Sequence, residues 1–225
     1  MLRRSLFAAA AAPAILSRPA GAAESLVVVE LFTSQSCSSC PPADALLGEL
    51  AGRDDVLALS FHVTYWDRLG WRDRFSLNEA TDRQRAYARA LSGGQLYTPQ
   101  MVVQGRADAV GSDRRAVLGA IGAARPAPIG LALTATDQQL RIAIAEGAGG
   151  GTVCLIGFDP HHVTRIGGGE NGGRTLAHTN VVRSVATIGA WQGRPTQLTA
   201  PRPAGERVAV LLQGAGGAIL GAARA

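Results

Sequence analysis

The residues best suited to do chemistry are two cysteines, Cys37 and Cys40, in FTSQSCSSCPPADAL (residues 32–46). A pair at this spacing can clip a metal, staple the chain or act as a reactive dithiol. Structural zinc asks for about four ligands. The sequence holds one CxxC, and its third cysteine, Cys154, stands alone in an apolar segment. His62, His161, His162 and His178 show no paired spacing with the cysteines. A structural disulfide closing so small a loop constrains the unfolded chain little. A reactive dithiol needs a place where a thiolate is stabilised, and the flanking elements supply one.

SLVVVELFTS (25–34) is apolar and β-branched, and reads as a buried strand. PADALLGELAG (42–52) places Ala45, Leu46, Leu47 and Leu50 at helical spacing and stops at Gly52. The dithiol thus lies between a strand and a helix. Free N–H groups at a helix start favour negative charge and lower the pKa of a nearby thiol. Pro41 and Pro42 fit only near the first helical turn, where a missing N–H costs least. Cys37 is therefore expected to be exposed and attacking, and Cys40 more buried and resolving.

VLALSFHVTY (56–65) reads as a second strand and DRFSLNEATDRQRAYARALSGG (73–94) as a helix. TPQMVVQG (98–105) and ADAVGS (107–112) follow as strands, and SDRRAVLGAIGAA (112–124) as a helix with Ser112 as its cap. The order β-α-β-α-β-β-α predicts a mixed sheet with helices on both faces, over residues 24–125. RPAP (125–128) breaks the pattern. From 127 to 225, short alternating segments and glycine-rich turns predict a second, mostly β, sandwich-like domain.

Strand, CSSC, helix, strand and then YTPQMVV together resemble the thioredoxin fold. The resemblance implies that Pro99, after Thr98, forms a cis peptide facing the dithiol, which makes Thr98 and Pro99 substrate-binding candidates. Four motifs in order are ELFTSQSCSSCPPAD, HVTYWDRLGWRDRFS, YTPQMVVQG and GGENGGRTLAHTNVVR…GAWQG. Over nearly the whole chain they resemble an uncharacterised exported family, domain of unknown function 1223. That likeness implies architecture and says almost nothing about substrate. The chain departs from thioredoxin in carrying Ser38-Ser39, not Gly-Pro, between the cysteines. Thioredoxins also carry a buried acid on the strand before the motif. Glu30 is the nearest candidate, one residue further from the first cysteine, and is expected to accept the proton of Cys40.

Tyr65, Trp66 and Trp71 follow the second strand. Trp66 is the candidate for holding a partner peptide beside the dithiol, against a plain packing role. GGGENGGRTLAH lacks the strand-then-helix context of a phosphate cradle. It reads as a sandwich loop, with the alternative that Glu170, Asn171, Arg174 and His178 reach the dithiol. His62 reads as a core or edge histidine, and Cys154 as a small buried hydrophobe. DPHH (159–162) offers at most adventitious binding of a soft metal.

The net charge is +5, and all 22 basic residues are arginines with no dense cluster, which argues against nucleic acid as a partner. Arg3-Arg4, the apolar SLFAAAAAPAIL and the small residues AGAA predict a signal peptide over 1–23. RRSLF fits a twin-arginine signal loosely. No later run reaches the roughly 18 apolar residues of a spanning helix, so no stable membrane span is expected after cleavage. The expected product is an exported, periplasmic or secreted thiol-disulfide oxidoreductase without a cofactor or a metal. Its partners are protein or small-molecule thiols and disulfides. The alternatives are a Cu(I)-handling protein that adds His62 or His178 to the cysteine pair, and a non-enzymatic module displaying its β domain.

Overall fold

The computed structural model describes residues 26–225. The expected signal peptide over 1–23 lies outside them. The first half runs β1 (Val27–Thr33), α1 (Pro41–Ala51), β2 (Val56–His62), α2 (Asn78–Leu91), β3 (Gln100–Val103), β4 (Ala107–Val110) and α3 (Arg114–Ala123). β1 is apolar on both faces because both are covered. Val29 and Leu31 pack on Leu46 and Leu47 of α1 and on Val117 and Ile121 of α3. Val28 and Phe32 pack on the other side, with Ala80 and Tyr87 of α2. Helices therefore lie on both faces, as the β-α alternation predicts. Two boundaries differ from the sequence reading. Asp113, not Ser112, caps α3, its carboxylate accepting from Ala116 N at 3.0 Å. α2 starts late because Asp73 to Leu77 form a turn, in which the Asp73 carboxylate accepts from Phe75 N at 2.9 Å.

The second half is all strand apart from a short 3-10 turn: β5 (Leu131–Ala135), β6 (Gln139–Ile144), β7 (Gly151–Arg165), β8 (Thr175–Trp191), β9 (Thr196–Pro201), β10 (Arg207–Gln213) and β11 (Ile219–Arg224). Most of it extends the first sheet. Eight strands run in the order β11-β10-β7-β8-β2-β1-β3-β4, with β1 and β2 parallel and β3 antiparallel to β1. The seam is narrow, a parallel pairing of Ser60 with Val181. The remaining strands, β5-β6-β9, form a small sheet of their own. Its Leu140, Ile142 and Ile144 pack on Val153, Leu155, Val208, Val210 and Leu212 of the long sheet. The sandwich-like layering expected after residue 127 is thus present at one end, but its larger layer is continuous with the sheet of the first half. No period-2 pattern announces a pairing between residues 60 and 181. Among the described residues no helix is long and apolar enough to cross a membrane.

A buried ionic knot crosses the same seam. Arg83 of α2 pairs with Glu30 of β1 through two nitrogens and donates to Gln213 of β10 at 2.9 Å. The Tyr87 hydroxyl donates to Glu30 at 2.6 Å and accepts from Gln213 Nε2 at 3.0 Å.

Candidate active site

Cys37 and Cys40 lie between the end of β1 and the start of α1, joined in a disulfide with Cα atoms 5.4 Å apart. Cys40 is the N-cap of α1, and Pro41 and Pro42 fill the first two helical positions. The prolines remove two of the free amides on which the sequence reading relied. The next two, on Ala43 and Asp44, both donate to the Cys40 carbonyl, at 2.9 and 3.1 Å. Hydroxyls serve the sulfur instead. Thr98 Oγ1 donates to Cys37 Sγ at 3.3 Å, and Ser39 Oγ lies 3.3 Å from the same sulfur. Trp66 Nε1 donates to Thr98 Oγ1 at 2.8 Å, which occupies an acceptor site on that oxygen and leaves its proton for the sulfur. Trp66 therefore acts through Thr98.

The Thr98–Pro99 peptide is cis, and Pro99 is buried against the start of α1. A Cβ on Gly111 would lie 3.0 Å from Ala43 Cβ and 3.2 Å from Pro99 Cβ, so these three residues meet closely. Thr98, Pro99 and Trp66 are thus gathered at the dithiol. Glu30 is not. In β1 it shares the side of Val28 and Phe32, facing α2, and is bound by Arg83 and Tyr87 on the opposite face of the sheet from α1. A strand covered on both faces does not disclose which face a polar residue takes.

The expected exposure of Cys37 is overturned as well: both cysteines have zero accessible surface. Ser38 and Ser39 between them remain exposed. A strap formed by residues 166–174, between β7 and β8, binds the dithiol loop. Asn171, fully buried, donates from Nδ2 to Gln35 O at 3.0 Å and to Cys37 O at 2.9 Å. Its Oδ1 accepts from Arg174 at 2.7 Å. Glu170 accepts from Ser38 N at 3.0 Å, and this hydrogen bond holds its carboxyl below the ordinary value. The glycines of the strap permit close approach to the aromatic loop. A Cβ on Gly167 would lie 2.8 Å from the Trp71 ring, and one on Gly168 would lie 2.5 Å from Gly70 O. Trp71 in turn donates to Gln35 Oε1 at 3.0 Å, and Ser36 Oγ donates to Trp71 O at 2.7 Å. Of the two readings of the glycine-rich segment, Glu170 and Asn171 follow the one that reaches the dithiol.

Beneath α1 lies a polar layer that sequence reasoning missed. His62 Nδ1 meets Asp73 Oδ2 at 2.6 Å, both groups fully buried. Burial works against the charge on His62, but the facing Asp73 carboxylate outweighs it and the imidazole is held above its ordinary value. Asp73 is held below its own: burial opposes its charge, and His62 with the amides of Gln35 and Phe75 more than offsets that. His178 stacks edge-on to His62, with ring centroids 4.8 Å apart, and its Nδ1 lies 3.7 Å from Asp44 Oδ1. Asp44 gave no signal because an acid in the first turn of a helix reads as a partner of the helix dipole. Among the described residues no three His, Cys, Asp or Glu side chains converge as metal ligands.

The family described as "Protein of unknown function (DUF1223)" matches residues 28–213. No curated protein matches the chain. The crystal structure of protein AGR_C_4864 from Agrobacterium tumefaciens is 33% identical, with a TM-score of 0.78 over 88% of this chain and 92% of that one. A structure of HBP35 of Porphyromonas gingivalis shares 14% identity, with a TM-score of 0.59 over 91% of this chain and 76% of that one, a likeness of fold alone.

Proposed function

We propose that this chain, which belongs to the DUF1223 family of unknown function, is a thiol-disulfide oxidoreductase on a thioredoxin-like scaffold, working outside the cytosol. The observation that carries the reading is the Cys37–Cys40 bond at a strand-to-helix junction, with Thr98 donating to Cys37 Sγ and Trp66 holding Thr98. The sheet order β2-β1-β3-β4, with α1 and α3 on one face and α2 on the other, supports a thioredoxin-like first half. A leader over residues 1–23 suits a disulfide that persists in oxidising surroundings.

In the reduced protein the Cys37 thiolate attacks a partner disulfide. One partner sulfur leaves and a mixed disulfide forms on Cys37. Cys40 then attacks Cys37 Sγ, the protein disulfide closes, and the second partner sulfur leaves as a thiolate. Two electrons pass to the partner, and the reverse sequence oxidises a dithiol. Either direction needs movement around the dithiol, because thiol exchange requires access to a sulfur along the S–S axis, and the strap bound to the dithiol loop is the segment we propose moves. Zero exposure of both sulfurs favours a second reading, a sealed structural staple.

The two readings separate on a trapping experiment. Under the oxidoreductase reading, Cys40→Ser accumulates mixed disulfides with envelope thiols, and Cys37→Ser forms none. A Cys40→Ser protein that traps nothing, together with a couple that dithiothreitol cannot reduce in the folded state, establishes the staple instead.

A further inference from the structure

Eleven buried side-chain polar atoms make no hydrogen bond within the described residues, and six belong to one place. They are Thr33 Oγ1, Ser60 Oγ, His62 Nε2, Asp44 Oδ1 and both ring nitrogens of His178. Val29, Leu31, Val56 and Ala58 face α1, so by the two-residue repeat of a strand Thr33, Ser60 and His62 face it too. Thr33 and His62 are register partners in the β1–β2 ladder. Asp44 closes the layer from α1, and its backbone N–H donates to the carbonyl of Cys40, one helical turn back. Buried polar atoms are nearly always satisfied, so a group of this size calls for partners of its own, whether ordered water or a transferred proton.

We infer that Asp44 and His178 form the proton-accepting site for Cys40, with the His62–Asp73 ion pair held behind it. The inference rests on the oxidoreductase reading and names the base that Glu30, on the far face, does not supply. Cys40 must lose its thiol proton before it attacks Cys37 Sγ in a mixed disulfide. That proton passes to the Asp44–His178 pair, the Cys37–Cys40 bond forms, and the bond from Cys37 to the partner sulfur breaks. The partner sulfur leaves with the electron pair and takes a proton from solvent.

Five elements set the charges around this pair. α1 brings Asp44, β2 brings His62, the turn before α2 brings Asp73, and β8 brings His178 and Arg183. From β7, His162 and Asp159 also face the layer. They bind each other at 2.8 Å, and Arg183 binds Asp159 at 2.9 Å. Phe75 lies between the two histidine groups, its ring centroid 4.5 Å from that of His162 and 5.5 Å from that of His62. The His62–Asp73 pair is balanced and fixed, since Asp73 also accepts from Gln35 N and Phe75 N. His178 has neither ring nitrogen in a hydrogen bond, and its Nδ1 is the one that faces the Asp44 carboxylate.

The test compares histidine ring titrations by nitrogen–proton NMR in the full chain, with the Cys37–Cys40 pair oxidised and then reduced by dithiothreitol. The inference expects the His178 midpoint to differ between the two forms and the difference to vanish in Cys40→Ser. Identical His178 titration in both forms overturns it. A second measurement follows closure of Cys40 onto a Cys37–glutathione mixed disulfide. Asp44→Asn is expected to slow this step by roughly 10²-fold at neutral pH and to flatten its pH profile, and Asp44→Glu to restore both in part. An unchanged profile in Asp44→Asn also overturns the inference. Because the ring titration needs only chemical reduction, the two failures are distinguishable: a couple that dithiothreitol cannot reduce and that traps no envelope partner overturns the oxidoreductase reading, whereas an unmoved His178 midpoint in the reduced protein overturns the proton site alone.

Discussion

Replacing Asn171 by alanine asks how firmly the disulfide is guarded. The side chain is fully buried, and its Nδ2 satisfies the carbonyls of Gln35 and Cys37. Alanine leaves both carbonyls without that donor, at about 1–2 kcal/mol each, the lower part of the range for an unsatisfied buried group. The cost falls on the closed strap, because an open strap has already given both bonds to water. Opening becomes easier by about 2–4 kcal/mol, which is roughly 30- to 700-fold in the open population. When opening and closing are fast relative to attack, the rate of reduction follows that population. The assay exposes folded, oxidised protein to excess dithiothreitol, quenches with acid at intervals, and counts alkylated thiols by mass. The variant is expected to be reduced tens to hundreds of times faster. Leu140→Ala serves as the control. It hollows the small sheet far from the dithiol and costs about 2–5 kcal/mol of global stability. Reduction as slow in Asn171→Ala as in the parent, or equal acceleration in both variants, refutes the idea that the strap is the gate.

Thr98→Val removes the hydroxyl that donates to Cys37 Sγ, and alkylation of Cys37 in the reduced protein at neutral pH is expected to slow by roughly tenfold, read by mass spectrometry. Glu30→Gln breaks the buried pair with Arg83 at a cost of about 3–5 kcal/mol. Its melting temperature falls while the exchange rate of the folded fraction stays put, and a slowed exchange would return Glu30 to the chemistry. The His62–Asp73 pair predicts a pH dependence with two limbs. Asp73 is held low, so its contribution is present above about pH 4 and is lost as pH falls through its folded value. His62 is held high, so its contribution is complete below about pH 6.5 and is lost as pH rises through its folded value. Urea unfolding across pH is expected to show both limbs in the parent and neither at full size in Asp73→Asn.

What the sequence disclosed was local. The strand before the dithiol, the helix after it and the approach of Thr98–Pro99 each follow from a short run of residues, and all are in place. The face that Glu30 takes is not legible because β1 is apolar on both faces, and the turn at residues 34–36 erases the alternation before Cys37 is reached. The strap was only half legible. Its glycines announce a loop, but the demand that they lie against Gly70 and Trp71 comes from a segment about a hundred residues away. The polar layer under α1 draws Asp44, His62, Asp73 and His178 from four separate elements, none with a spacing that points to the others. The continuity of the long sheet is of the same kind, since β2 and β8 meet through residues far apart in the chain.

That narrow seam decides what a shortened gene could express. A chain ending near residue 125 would lose β8 and leave the outer side of β2 as a raw edge, its amides and carbonyls open to any passing strand. Arg83 and Tyr87 would lose Gln213, and the apolar residues that α2 and β10 now bury together would face water. The half that carries the cysteines cannot be cut out and studied as a miniature. It is expected to aggregate on expression, and the second half is in effect its built-in chaperone.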